Sequence, residues 1–226
     1  MNKNDNDNKL LNLHSSSLFM SIITFLILYI ISTIGYGLTY SITNNVNLLY
    51  ISKYLIIILL ILFKDYKNIM NSIKNIKKDS KKDIKQIIFI TILLLVLEFI
   101  SNYIIIKIVG HNPNNNNNLI KVLNKGNKIL MIFNLLITGP IGESFLFIYP
   151  FNDVKNKKLA YIIYSILFAI AHMTSSNNLI DLLFIIPYMF MSFAFGYSFY
   201  KTNNIFMSII VHSLNNLVAL MLLFIM

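Results

Sequence analysis

The sequence predicts an all-α fold: a polytopic transmembrane helix bundle of about seven spans, or eight. Three observations carry that reading. The 226 residues are 56% hydrophobic and 12% charged, with a mean hydropathy of +0.66, where a soluble domain carries about 25% charge. The apolar residues come in blocks of roughly 20, long enough at about 1.5 Å per residue to cross a ~30 Å hydrocarbon core. The blocks are continuous and do not alternate with period two, which excludes a transmembrane β-barrel.

The elements follow in order. Residues 1–17 are polar and rich in Asn, and are expected as an N-terminal tail. They lack a basic head followed by a short apolar core and a small-residue cleavage site, so the first apolar block is expected to stay as a span. Spans are expected over 18–40, 48–63, 84–109, 129–149, 159–172, 179–200 and 205–226. The third is long enough to tilt or bend, and the fifth is short. This gives a tail (1–17), a set of N-terminal transmembrane helices (18–127) with a basic loop at 64–85, and a membrane core (128–226). Within the basic loop, Ile69, Ile73 and Ile76 recur at helical spacing among lysines. Either a helix lying in the headgroup plane or a solvated linker satisfies that pattern. The tract HNPNNNNN at 111–118 reads as a flexible, low-complexity loop.

Charge sets the orientation and the partners. All 19 basic residues are lysine, giving a net charge of +10, and eight of them lie in 64–85. Lysine-rich loops stay on the cytosolic side, which groups 64–85 with the N-terminus, the 151–158 loop and the turn at Lys201. Lys53, Lys107, Lys121, Lys125 and Lys128 fall on the other side. Because the lysines cluster between apolar blocks, the expected partner is a bilayer with anionic headgroups and not nucleic acid. Cysteine is absent, which removes disulfides, a thiol nucleophile and prenylation of this chain itself.

Three stations carry ionisable groups into apolar runs, where each costs several kcal/mol unless paired or facing a wet cavity. In the fourth span, Thr138-Gly139-Pro140 interrupts the helix because Pro140 has no N–H to donate, and Glu143 follows at once. A helix broken beside an acid lines a polar cavity, and a carboxylate there serves as a general base. A Glu that caps a half-helix is the plain alternative. His172 ends the fifth span with Phe168 one turn earlier on the same face. His212 and Asn216, four apart on the last span, also share a face. They can aim two hydrogen bonds at one developing oxyanion, or can join helices as polar contacts. Glu98, in the third span, has no motif around it; His14 and His111 lie in polar segments, and Asp181 marks the start of the sixth span. Glu143, His172 and His212 form a ligand set suited to Zn2+ or another divalent metal with an open position for water. The same set can also activate water without metal. No HExxH, GxSG or GxGD pattern of other membrane proteases is present.

Taken together, PIGESFLF, FAIAH and the run from Gly196 to Asn216 ending in HSLNN resemble the CPBP family. These are the CAAX prenyl endopeptidases and bacteriocin-processing (Abi) proteins, with the pattern EExxxR, FxxxH, then HxxxN or HxxxD. The resemblance covers about residues 128–220. It implies an intramembrane endopeptidase acting on a peptide or membrane-associated protein near the membrane face. In that reading Glu143 is the base, His172 binds the water or metal, and His212 with Asn216 stabilises the oxyanion. It also implies an integral, multi-pass protein, in the plasma membrane if the source is prokaryotic. Two positions depart: the second Glu of the pattern is Ser144 and the Arg is Ile148. An inactive relative serving in bacteriocin immunity or partner binding is the alternative they raise, and the acids Glu98 and Glu143 leave an ion-coupled carrier as a third.

Overall fold

A computed structural model of the chain describes residues 3–43, 46–75, 81–113, 127–173 and 178–225. These residues form helices joined by short turns, with no strand among them. Helix α1 is Lys3–Ile42, α2 Val46–Asn75 and α3 Lys81–Val109. A composite span follows: α4 (Lys128–Phe133), a π turn (Asn134–Thr138), α5 (Gly139–Phe147) and a 3-10 turn (Tyr149–Phe151). Then come α6 (Lys157–His172), a 3-10 turn (Leu179–Phe184), α7 (Ile185–Thr202) and α8 (Ile205–Ile225). Five segments among the described residues are long and apolar enough to cross a membrane: Leu18–Ile42, Lys81–Val109, Lys128–Phe151, Leu179–Thr202 and Ile205–Leu222.

The exposed surface is apolar in the way a lipid-facing surface must be. On α3, Phe89, Ile92, Val96, Ile100, Tyr103 and Ile104 are all exposed and recur at helical spacing, while the opposite side of the helix lies along α7. A soluble protein does not leave so long an apolar stripe in water. The chain is a membrane protein whose inner contacts are made by aromatic and small residues. Between α6 and α7, Tyr164 Oη donates to the Gly196 carbonyl at 2.7 Å and Ser192 Oγ to the Ser165 carbonyl at 3.0 Å. A Cβ at Gly196 would fall 2.7 Å from Tyr164 Cε2, so the glycine is what lets these helices approach.

Two expectations are revised and one open alternative is narrowed. The helix of α1 starts at Lys3, so the polar segment continues it where a tail was expected. The basic segment 64–85 is helical as far as Asn75. Asp65 leaves helical geometry (φ −137°, ψ 30°) and kinks α2 there, held by Asn68 Nδ2 at 2.6 Å on Oδ1 and Tyr149 Oη at 3.2 Å on Oδ2. Beyond the kink Ile69 is buried and Ile73 exposed, so the short helix packs on the bundle at Ile69 and not along its whole apolar side. Ile76 and residues 114–118 lie outside the described residues. Third, the fourth span is not broken at Pro140 but widened. The Gly139 N–H reaches back to the Asn134 carbonyl, and a π turn absorbs the missing proline donor without a gap in the helix.

The ends sort as alternating helices require. On one end Asn204 Nδ2 donates to the Ser72 carbonyl at 2.9 Å, Lys201 lies 3.8 Å from Asp83, and Tyr149 meets Asp65. These join the basic segments to each other. On the other end His111 Nε2 lies 3.3 Å from Asp181 Oδ1, and Asp181 Oδ2 accepts from the Asn178 backbone N–H at 3.3 Å at the start of the 3-10 turn.

Candidate active site

Glu143, His172 and His212 come from α5, α6 and α8 and meet inside the bundle. Glu143 Oε2 lies 3.9 Å from His172 Nε2 and 3.6 Å from His212 Nε2. Counting residues from the basic ends would place His172 about two turns deeper than the other two. The two side chains meet all the same, so α6 begins farther toward the basic end than α5 stops, after a connection whose 3-10 turn buries Phe151 and which also buries Val154. The carboxyl and His172 keep 16% and 17% side-chain exposure, whereas His212 keeps 3%. The first two are reachable from outside; the third is a wall.

The FxxxH spacing has a visible cause. Phe168 stacks on His172 with centroids 4.2 Å apart and meets His212 edge-on at 5.8 Å. One ring therefore sets the plane of both imidazoles. Phe195 stacks on the other face of the arrangement, 4.4 Å from His212 and within 10° of parallel, and Tyr188 packs on His172 at 5.1 Å. His172 Nδ1 lies 2.9 Å from the Phe168 carbonyl. A carbonyl only accepts, so Nδ1 carries the proton and Nε2, which faces Glu143, presents its lone pair in the neutral ring.

Asn216 is one turn beyond His212, about 6 Å along α8. Its Nδ2 donates to the Leu135 carbonyl at 2.9 Å. That carbonyl is the one to which residue 140 would donate in the π register, and residue 140 is proline. Asn216 thus satisfies the acceptor that the widened turn leaves open, while the second N–H of its amide remains. Within the turn Thr138 Oγ1 donates to Asn134 Oδ1 at 2.6 Å. A Cβ at Gly139 would fall 2.8 Å from the Asn134 carbonyl oxygen.

Sequence reasoning missed Tyr54. Its hydroxyl, on α2, donates to Glu143 Oε1 at 2.5 Å. Gly142 makes this possible, since a Cβ there would lie 2.3 Å from Tyr54 Cβ. Only the polar pair Lys53-Tyr54 inside an otherwise apolar run hinted at it. Ser144 and Ile148 are each 2% exposed. With Glu143, Phe168, Phe195, Ser192 and His212 they border a cavity of about 10 Å³, room for one water. Both departures from the expected motif are thus uncharged and buried side by side, so neither leaves a partner charge stranded. Glu98, on α3, has Oε2 buried without a hydrogen-bond partner and is not drawn into the cluster.

A zinc ion bound at about 2.0–2.2 Å holds its ligand atoms roughly 3.3–3.5 Å apart. The separations here are wider, and among the described residues no group of three His, Cys, Asp or Glu is spaced to hold a metal ion. The three side chains as placed do not fit a metal. They do fit a water. Two acceptors 3.9 Å apart, Glu143 Oε2 and His172 Nε2, are bridged by one water about 2.8 Å from each.

A helix bundle in a membrane with a buried acid between two imidazoles defines the class to which the comparisons speak. Residues 125–218 match the family described as Type II CAAX prenyl endopeptidase Rce1-like, the family whose motifs the sequence resembles. The chain is also similar to UPF0177 protein YxdF of Lactococcus lactis subsp. lactis (strain IL1403). The two are 39% identical over 82 residues, covering 36% of this chain and 43% of that protein, so the match spans less than half of that relative's length. No solved structure shows a significant match.

Proposed function

We propose that the chain is an intramembrane endopeptidase that hydrolyses a peptide bond with water activated by Glu143, near the membrane face that carries the basic segments. The observation that supports this most is the placement of Glu143 Oε2 beside the Nε2 atoms of His172 and His212, with the His172 tautomer fixed by the Phe168 carbonyl. A water held between Glu143 and His172 gives one proton to the carboxylate as its oxygen bonds to the scissile carbonyl carbon. The resulting oxyanion accepts hydrogen bonds from His212 Nε2–H and the second N–H of Asn216. Glu143 then passes its proton to the departing amine as the C–N bond breaks. The substrate is a peptide or membrane-associated protein, and with a bacterial relative the proposed location is the plasma membrane, with anionic headgroups against the lysines.

A second reading has a specific observation in its favour. Ser144 and Ile148 stand where the family pattern has Glu and Arg, and an inactive relative acting in bacteriocin immunity or partner binding would tolerate that change. Reconstituted protein incubated with a panel of membrane peptides separates the two. The protease reading predicts cleavage that His172→Ala and His212→Ala each reduce by at least about a hundredfold and that a chelator leaves unchanged. Cleavage abolished by the chelator would assign the three side chains to a metal. A folded protein that cuts no peptide in the panel would favour the inactive relative.

A further inference from the structure

The residues matched to the family begin at 125, yet the shortest hydrogen bond on Glu143 comes from a helix that precedes them. We infer that Tyr54 is a positioning residue for Glu143 and that α2 is therefore part of the reacting site; this rests on the endopeptidase reading. A carboxylate swings readily about its last torsion, which is broad and roughly two-fold. The imidazoles at 3.6 and 3.9 Å are too far to stop it. Tyr54 Oη on Oε1 at 2.5 Å is the one short hydrogen bond to this carboxyl among the described residues, and a bond to an ionised oxygen is the strong kind. Holding Oε1 aims Oε2 at both imidazoles, which is where the water must sit.

The backbone beneath is shaped for this contact. Gly142 precedes Glu143, and a Cβ there would fall 2.3 Å from Tyr54 Cβ and 2.5 Å from its ring. The α2 and α5 backbones are thus as close at this point as a glycine permits. Tyr54 is itself buried, so a phenylalanine fills the same space and lacks only the hydroxyl.

The test uses the full chain in liposomes with Tyr54→Phe beside wild type, and reads two quantities. The first is steady-state cleavage of a membrane peptide. The second is labelling of Glu143 by dicyclohexylcarbodiimide, an apolar carboxyl reagent, measured by mass spectrometry relative to Glu98 in the same molecule. Positioning predicts kcat down about tenfold or more with KM within about twofold. It also predicts that Glu143 labelling rises about threefold or more against Glu98 as Oε1 loses its donor. An unchanged labelling ratio overturns the contact whatever the activity does. A changed ratio with unchanged kcat shows a contact that does not serve the reaction, and overturns the inference. A changed ratio in a wild type that cuts nothing supports the positioning of Glu143 and counts against the endopeptidase reading alone. Gly142→Ala, which forces the ring away, is expected to change the labelling ratio in the same direction.

Discussion

Glu143 was legible in the sequence because a carboxyl in an apolar run costs several kcal/mol without partners, and the same argument found His172 and His212. The structure brings these three together. Asn216 was legible as a polar residue on the His212 face, but its bond to the Leu135 carbonyl was not. That bond depends on which register the helix takes around Pro140. Asn216→Ala leaves a carbonyl inside the bundle without its donor and is expected to cost about 1–3 kcal/mol, read as a lower midpoint in thermal unfolding in detergent. Unchanged stability would mean that the Leu135 carbonyl finds another donor. Tyr54 was barely legible: a tyrosine in an apolar helix is an ordinary residue, and beyond its polar neighbour Lys53 nothing along the chain marks which of 13 tyrosines meets an acid 89 positions away.

At the scale of elements, Thr138-Gly139-Pro140 announced an irregularity and concealed its form. Proline removes one donor whether the helix breaks or widens, and the choice rests on tertiary partners, here Asn216 from α8. The widened turn puts one extra residue between α4 and Glu143, which sets the direction of the side chain relative to the preceding turns. Gly139 permits it. Gly139→Ala should raise helix propensity by about 1 kcal/mol, yet its Cβ would press on the Asn134 carbonyl at 2.8 Å. Overpacking of that kind costs about 1–3 kcal/mol, so net destabilisation is expected in the same unfolding assay; stabilisation would show that the turn is not π-helical. The basic segment left two forms open for a different reason. Lysines mark a solvated surface equally well on a linker or on a helix, and the kink at Asp65 rests on Tyr149 from a distant part of the chain.

For the whole molecule, the fold class was the most legible feature, since block length and continuity are fixed by the bilayer. The packing between helices was less so. Gly142 and Gly196 mark close approaches, but a glycine alone does not name the helix that approaches. Sidedness is testable directly because the chain has no cysteine. Single cysteines at the exposed positions Lys74 and Lys155 should react with an impermeant maleimide from one side of sealed vesicles, and Asn112→Cys from the other. The positive-inside rule makes the first side cytosolic. Labelling of all three from one side would contradict the alternating arrangement.

In the proposed mechanism one carboxylate, held by Tyr54 and faced by two imidazoles, activates water against a peptide bond. The most direct test of that mechanism is cleavage of one membrane peptide by reconstituted wild type and Glu143→Gln at matched protein, with both unfolding at similar temperatures. Products are expected from the wild type, with the rate lowered by about a hundredfold or more in the variant. A Glu143→Gln protein that cuts as fast as the wild type would contradict it.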